Sequence, residues 1–175
     1  MVVVLMGVTG SGKTTIGREL SAELGWAFYD ADDFHPRANV LKMRAGLPLD
    51  DADRIPWLEA LRCLIQDILK RNENAVLACS ALKASYREYL LLNESVKLIH
   101  LHGDYELIQQ RLSERRGHFM NPALLNSQFA TLEAPEPDAR VDISHSPAEI
   151  VKIIRSRLEH LTHDSSDQSG REPAK

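Results

Sequence analysis

Apolar runs alternate with stretches of helical periodicity along most of the chain. Short continuous apolar runs are typical of strands that are buried on both faces of a parallel sheet. They occur at Val2–Met6, Trp26–Asp30, Ala75–Cys79, Val96–His102 and Arg140–Ile143. Because helical patterns fill most of the gaps between these runs, the sequence predicts an α/β fold with helices on both faces of a parallel sheet.

Helical spacing is clearest in two long segments. Ile55–Lys70 carries apolar residues at helical spacing, with Pro56 near its start, where a proline suits the first turn of a helix. Pro147–Leu161 shows the same periodicity. A further helix is predicted to begin after Asp104, which can cap it, and to run to about Arg115.

Size and composition limit the possible functions. The 175 residues are enough for one domain, expected over residues 1–162, and the polar tail at 163–175 is predicted to be disordered. A net charge of −4 without a basic block argues against nucleic acid as a partner, and no apolar run is long enough to cross a membrane. The two cysteines, Cys63 on a predicted core face and Cys79 in a predicted strand, favour a reducing cytoplasm.

Residues 7–14, GVTGSGKT, match the phosphate-binding loop G-x-x-x-x-G-K-[ST] between the first strand and a predicted helix at Thr15–Leu24. Glycines let the backbone wrap around an anion, and the helix N-terminus adds partial positive charge. Lys13 is expected to reach the β- and γ-phosphates of ATP and Thr14 to bind Mg²⁺, which a plain connecting turn would not explain. The residues predicted to bind ATP here are Gly7, Thr9, Gly10, Ser11, Gly12, Lys13, Thr14 and Thr15.

Acidic residues follow the second predicted strand. Asp30 and Asp32 alternate along an extended segment, so both can face the phosphate loop at the carboxyl edge of the sheet. Carboxylates there can bind Mg²⁺ or accept a proton from an attacking hydroxyl. We predict that Asp30 belongs to the Mg²⁺ site and that Asp32 contacts the reacting hydroxyl. A solvated acidic turn is the alternative, and it is the preferred interpretation of Asp33.

Other segments favour a small-molecule kinase. The third strand ends without the acidic residue that many phosphate-loop ATPases and GTPases use for Mg²⁺, and no Asn-Lys-x-Asp segment reads guanine. Arg111 and Arg115 share a helix face and could close over the triphosphate, although a solvated basic helix end is the alternative. Arg54 could hold a carboxylate with two hydrogen bonds. The residues predicted to be catalytic are Lys13, Asp32, Arg111 and Arg115.

Five segments together resemble the gluconokinases of the phosphate-loop type. They are residues 7–14, 30–58, 79–87, 115–119 and 127–135. The resemblance implies ATP-dependent phosphorylation of D-gluconate at its 6-hydroxyl. It also implies a three-layer phosphate-loop kinase fold with strand order 2-3-1-4-5, a mobile lid at about 111–122 and a homodimer, although no interface can be read from the sequence.

The resemblance also assigns residues to ligands. Adenine is expected near Arg111 and the loop that ends at Pro147. The residues expected to bind gluconate are Asp32, His35, Arg54, Lys83, Arg87, His118 and Gln128. Lys83 and Arg87 share a helix face by their spacing, although both could lie on a solvated helix surface, and His118 could be a surface residue of the lid.

Two other functions stay open at this point. The first is a kinase of the same fold for another small hydroxylated acid, such as shikimate. The second is a nucleotide-binding regulator without turnover, against which the presence of Lys13, Thr14 and Asp32 argues.

Overall fold

The computed structural model describes residues 1–114 and 122–167. Five parallel strands form one sheet in the order β2-β3-β1-β4-β5, which confirms the expected topology. The strands are β1 (Val2–Met6), β2 (Ala27–Asp30), β3 (Ala75–Ala78), β4 (Val96–His102) and β5 (Arg140–Asp142). Arg115, His118, most of the predicted lid and the end of the predicted tail lie outside the described residues.

Helices connect the strands in the alternating pattern that the sequence predicts. They are α1 (Lys13–Leu24), α2 (Arg37–Arg44), α3 (Asp51–Lys70), α4 (Ala84–Leu90), α5 (Tyr105–Glu114), α6 (Pro122–Thr131) and α7 (Pro147–Asp167). Short 3-10 helices lie at Ala31–Phe34 and Pro137–Ala139. Among the described residues, none of these helices combines the length and apolar character that crossing a membrane requires.

The central strand β1 is buried along its whole length. Its alternate side chains point to opposite faces of the sheet. Val3 and Leu5 join a core formed with α1, α5, α6 and α7, whereas Val2, Val4 and Met6 join a second core formed with α3 and α4. Helices therefore cover both faces, which is why the strand can be apolar at every position.

The predicted start of α3 is wrong. The helix begins at Asp51 and not at Ile55, because two carboxylates cap it earlier. The Asp50 carboxylate accepts a hydrogen bond from the Asp53 backbone N–H at 2.8 Å, and the Asp53 carboxylate accepts one from the Asp50 N–H at 3.1 Å. Pro56 consequently lies inside the helix and not in its first turn.

Two further details differ from the sequence-based expectation. Cys63 is exposed and does not lie on the core face of α3. The buried stripe of that helix runs instead through Trp57, Leu58, Leu61, Ile65 and Ile68. Helix α7 continues past Leu161 to Asp167, so it enters the segment that was expected to be a tail.

The topology brings three loops to one edge of the sheet. Strands β1 and β2 both pair with β3, and Ala78 of β3 is level with Leu5 on one side and with Asp30 on the other. The loop after β1 also touches the loop after β3, because the Gly7 N–H donates to the Ser80 carbonyl at 3.4 Å. This edge is where ligands collect in open parallel sheets.

We expect Gly7→Ala to destabilise the protein more than Gly46→Ala. Gly7 has a φ of +152°, and a Cβ there would lie 2.9 Å from the Leu101 carbonyl oxygen and 2.6 Å from the Ser11 hydroxyl oxygen. Gly46 also has a positive φ, +72°, but no atom lies within 4 Å of its Cβ position. Backbone strain alone is expected to cost about 1–2 kcal/mol.

Urea unfolding of the two variants checks this expectation. The Gly7 variant should lose more free energy of unfolding, because a backbone contact cannot move aside as a flexible side chain can. Equal losses for the two variants would show that the close contact at Gly7 carries no additional cost.

Candidate active site

The phosphate loop leaves donors free at the start of α1. Gly12 precedes the helix in the left-handed region, with a φ of 94°, and no side chain caps the helix N-terminus. The first backbone N–H groups of a helix have no partner within the helix itself. An anion held in the loop would therefore meet unpaired N–H groups and the positive end of the helix dipole.

Lys13 lies inside the loop rather than out in solvent. Its ammonium group donates hydrogen bonds to the Gly7 and Val8 carbonyl oxygens, both at 3.0 Å. Burial lowers the pKa of Lys13, whereas the nearby charges of Asp32 and Asp30 act in the opposite direction. The ammonium group is thus desolvated, fixed by the loop backbone and close to the carboxylates that follow β2.

Thr14 and Asp30 form the second contact between the loop and β2. The Thr14 hydroxyl donates to the Asp30 carboxylate at 3.0 Å, and the same carboxylate accepts the Asp32 backbone N–H at 3.2 Å. Hydroxyl and carboxylate oxygens are ligands that Mg²⁺ accepts. Among residues 1–114 and 122–167 no group of three or more His, Cys, Asp or Glu side chains is arranged to hold a metal. A magnesium ion here would take its other ligands from phosphate and water, as is usual for this ion.

Asp32 follows Asp30 in the 3-10 helix after β2, and its carboxylate lies near the charges of Asp30 and Lys13. Burial raises the pKa of its carboxyl, and the neighbouring Asp30 raises it further, while Lys13 and His35 oppose the shift. A carboxylate with a raised pKa and a nearby cation is a reasonable proton acceptor. The thiol of Cys79 lies near the same groups, but burial raises its pKa to about 12, so it stays protonated.

His35 lies near Asp32 and packs against Trp57 of α3. Its ring stacks on the Trp57 ring with the centroids 4.6 Å apart and the planes 10° apart. The Trp57 indole N–H donates to the Ala31 carbonyl at 2.7 Å, which fixes the orientation of the indole ring. Burial lowers the pKa of His35, Asp32 raises it, and Arg54 lowers it. Both the Asp32 carboxylate and the Arg54 guanidinium are therefore close enough to act on the His35 ring.

A cationic cluster lies beyond His35. The Arg54 guanidinium and the Lys83 ammonium lie 5.7 and 5.4 Å from the centroid of the Tyr86 ring. Lys83 donates to both carboxylate oxygens of Asp51 at 2.8 Å, and the Tyr86 hydroxyl donates to the same carboxylate. Arg54 also donates to the Leu49 carbonyl. We call Asp51, Arg54, Lys83 and Tyr86 the α3–α4 cluster.

Arg87 does not point to the same place as Lys83. Helix α4 begins at Ala84, so Lys83 is the residue before the helix and the expected shared face is lost. Arg87 is buried, and its guanidinium donates to the Ala81 and Leu82 carbonyl oxygens, both at 3.1 Å. In this structure Arg87 supports the loop after β3, while Lys83 faces Asp51.

The other predicted ligand residues lie on the far side of the phosphate loop. Arg111 of α5 donates to the Ile143 carbonyl at 2.6 Å, next to the loop that ends at Pro147. The two elements expected to flank adenine therefore lie side by side. Gln128 of α6 contacts the loop itself, because its side-chain oxygen accepts the Thr9 backbone N–H at 2.6 Å.

Sequence reasoning missed two members of the site. Asp51 is not among the predicted site residues, yet its carboxylate accepts hydrogen bonds from both Lys83 and Tyr86 in the α3–α4 cluster. Trp57 is not among them either, yet its ring stacks on the His35 ring. Both could have been found from the sequence, because each is three residues from Arg54, a predicted ligand of gluconate, and residues three apart are neighbours on a helix surface.

The fold and the site together define the class of protein. A phosphate loop with its lysine and threonine, a parallel sheet in the order 2-3-1-4-5 and carboxylates after β2 instead of β3 are the features of a phosphate-loop kinase for small molecules.

Comparison with known proteins narrows this class. A family profile described as shikimate kinase matches residues 9–153. The chain is 46% identical over 160 residues to the thermosensitive gluconokinase of Escherichia coli (strain K12), which covers 89% of this chain and 86% of the relative. It is 44% identical over 156 residues to the gluconokinase of Gluconobacter oxydans (strain 621H), which covers 87% of this chain and 88% of the relative.

Solved structures agree with these relatives. A gluconokinase from Sinorhizobium meliloti 1021 has a TM-score of 0.86 and 38% identity, and the match covers 96% of this chain and 97% of that one. The shikimate kinase of Aquifex aeolicus vf5 has a TM-score of 0.55 and 23% identity over 91% of this chain and 97% of its own, which shows the common fold. The chain belongs to the gluconokinase family, within the wider shikimate-kinase-like group.

We expect Asp32→Asn to stabilise the free protein at neutral pH. Because the folded-state pKa of Asp32 is raised, its ionised form is less favourable in the folded protein than in the unfolded chain. Asparagine keeps the shape without the charge. The gain should shrink as the pH falls from the raised folded-state pKa towards about 3.9, and it should be absent below that pH, where the carboxyl is protonated in both states.

Urea unfolding at pH 7 and at acidic pH, with Asp33→Asn as the neighbouring control, measures this gain. Asp33 belongs to the same 3-10 helix, and its variant removes one negative charge while leaving the Asp32 carboxylate in place, so it should change the stability less. A loss of stability at pH 7 in the Asp32 variant alone would mean that attraction to Lys13 outweighs the burial of the carboxylate.

Proposed function

We propose that this protein catalyses the ATP-dependent phosphorylation of D-gluconate at its 6-hydroxyl, with ADP and 6-phospho-D-gluconate as products. The observation that carries the proposal is a row of charged and polar groups. The row begins at Lys13, continues through Asp32 and His35, and ends at Arg54 and Lys83. Gluconate has a matching shape, with a carboxylate at one end and the reacting hydroxyl at the other.

The phosphate loop supplies the phosphoryl end of the site. Its free N–H groups and the Lys13 ammonium would hold the β- and γ-phosphates and stabilise the charge that develops during transfer. Thr14 and Asp30 would hold Mg²⁺, directly or through water. When bound, the ion supplies further neutralisation of the phosphate oxygens. The 3.0 Å contact between the Thr14 hydroxyl and the Asp30 carboxylate supports the assignment of both oxygens to one ion.

Asp32 is the proposed proton acceptor. As the hydroxyl oxygen forms its bond to the γ-phosphorus, the bond from that phosphorus to the bridging oxygen breaks and ADP leaves. The hydroxyl proton passes to the Asp32 carboxylate, whose raised pKa brings it closer to the operating pH. Lys13 holds the phosphates of ATP, the phosphoryl donor, while Asp32 orients the hydroxyl of gluconate, the phosphoryl acceptor.

The α3–α4 cluster is the proposed site for the carboxylate end of gluconate. The two cations, Arg54 and Lys83, can pair with the carboxylate, and Arg54 can do so with two hydrogen bonds. Asp51 and Tyr86 can bond the polyol hydroxyls. Asp51 also neutralises part of the cationic charge in the free protein, through its 2.8 Å contacts with Lys83.

The remaining assignments concern the adenine site, the cellular location and the oligomeric state. Arg111 and Pro147 are proposed to flank adenine, and Arg115 and His118 remain proposals for residues outside the described ranges. The use of ATP and the free thiols of Cys63 and Cys79 fit a cytoplasmic location. The homodimer that the resemblance implies stays a prediction.

A coupled assay with ATP and a panel of acceptors tests the proposal. We expect kcat/KM for D-gluconate to exceed that for D-glucose by a factor of about 10² or more, because a neutral sugar offers no carboxylate to the half-buried cations Arg54 and Lys83. The value for shikimate should also be lower, because its carboxylate and its hydroxyls are closer together than the carboxylate and 6-hydroxyl of gluconate. Arg54→Ala should raise the KM for gluconate about tenfold or more, with a smaller effect on ATP binding.

Two controls frame the assay. Lys13→Ala should remain folded and lose most turnover with every acceptor, since its ammonium serves the nucleotide. Arg37→Ala changes an exposed arginine of α2 and should leave the KM for gluconate unchanged. Similar kcat/KM values for glucose and gluconate would refute the carboxylate site, and near-normal turnover of a folded Lys13→Ala protein would refute the kinase assignment.

A further inference from the structure

The tip of the phosphate loop is held from outside by one side chain of α6. The Gln128 side-chain oxygen accepts the Thr9 backbone N–H at 2.6 Å, a contact between residues 119 positions apart in the chain. Because a backbone N–H can only donate, the carbonyl side of the amide must face the loop. This is a short hydrogen bond in a partly buried setting, where such bonds are strengthened.

The same loop tip is also packed against α5. A Cβ at Gly10 would lie 2.8 Å from a Leu112 side-chain carbon and 3.1 Å from an Ile108 side-chain carbon. Helices α5 and α6 are themselves joined by the edge-to-face pair of Tyr105 and Phe129, whose ring centroids are 5.3 Å apart. Two helices that pack on each other thus enclose Thr9 and Gly10.

An ordered loop binds phosphate more tightly than a disordered one. Fixing the backbone of a residue costs about 1–2 kcal/mol of conformational entropy, and a loop that is already ordered does not lose this free energy on binding. The Gln128 contact orders the loop at a residue that precedes the donors at the start of α1. Its effect should therefore fall on the nucleotide and not on the phosphoryl acceptor.

We propose that Gln128 is a positioning residue that pre-organises the phosphate loop for ATP through the Thr9 N–H. This proposal differs from the sequence-based expectation that Gln128 binds the sugar acid, and its kinetic part rests on the gluconate kinase activity proposed above. The nucleotide-binding part does not depend on that activity.

The test uses Gln128→Met, which keeps the length of the side chain and removes the acceptor. The dissociation constant for ATP, measured by calorimetry without gluconate, should rise about three- to tenfold, as expected for loss of one hydrogen bond. Amide exchange at Thr9 should become faster. The KM for gluconate should stay within about twofold of the original value. Ser127→Ala, on the exposed side of the same helix, is the matched control and should change none of these quantities.

A second variant separates the hydrogen bond from general damage to the fold. Gln128→Glu keeps an acceptor oxygen at the same reach, so the slow exchange of the Thr9 amide should be retained even if the methionine variant folds poorly. A raised KM for gluconate with unchanged ATP affinity would overturn the proposal in favour of a sugar-acid contact. Unchanged ATP affinity and unchanged Thr9 exchange in a folded Gln128→Met protein would also overturn it. Absence of gluconate turnover in the unmodified protein would refute the proposed activity and leave this binding test intact.

Discussion

The desolvated ammonium group of Lys13 is the constraint on which the rest of the site depends. A buried cation is costly unless hydrogen bonds and opposite charges compensate it. Here the Gly7 and Val8 carbonyl oxygens accept its hydrogen bonds, and Asp30 and Asp32 supply the negative charge. The conformation of the loop and the position of the carboxylates are therefore linked through a single group.

The sheet register makes this compensation possible. Ala78 of β3 is level with Leu5 of β1 on one side and with Asp30 of β2 on the other. The chain leaves β1 and β2 at the same height, so the phosphate loop and the carboxylates after β2 meet at one edge. The hydrogen bond from Thr14 to Asp30 then links the phosphate loop to the end of β2.

Helix α3 extends the site away from the phosphate end. Its capping box starts the helix early enough to present Asp51, Arg54 and Trp57 on one side, at intervals of three residues. Trp57 positions His35 by stacking, while Asp51 and Arg54 meet the residues of α4. A single helix thus aligns the row of groups for a molecule with a charged end and a distant hydroxyl.

Local patterns predicted much of this arrangement, but not the parts that depend on long-range packing. The apolar runs located all the strands, and the spacing of the phosphate loop identified Lys13 and Thr14. The lateral strand order came only from family resemblance, because apolar runs do not encode which strands are neighbours. The role of Asp51 was missed because a carboxylate at a helix start also serves as a cap. The Gln128–Thr9 contact joins distant segments that no local pattern connects.

The most direct test of the central claim is the kinetics of Asp32→Asn with gluconate as acceptor. If Lys13 holds the donor and Asp32 takes the proton, kcat should fall by a factor of about 10²–10⁴ while the dissociation constant for ATP in the presence of Mg²⁺ stays nearly unchanged. Asp33→Asn should behave like the unmodified protein. Weaker ATP binding with unchanged kcat would place Asp32 in the metal site and contradict this account of the two carboxylates.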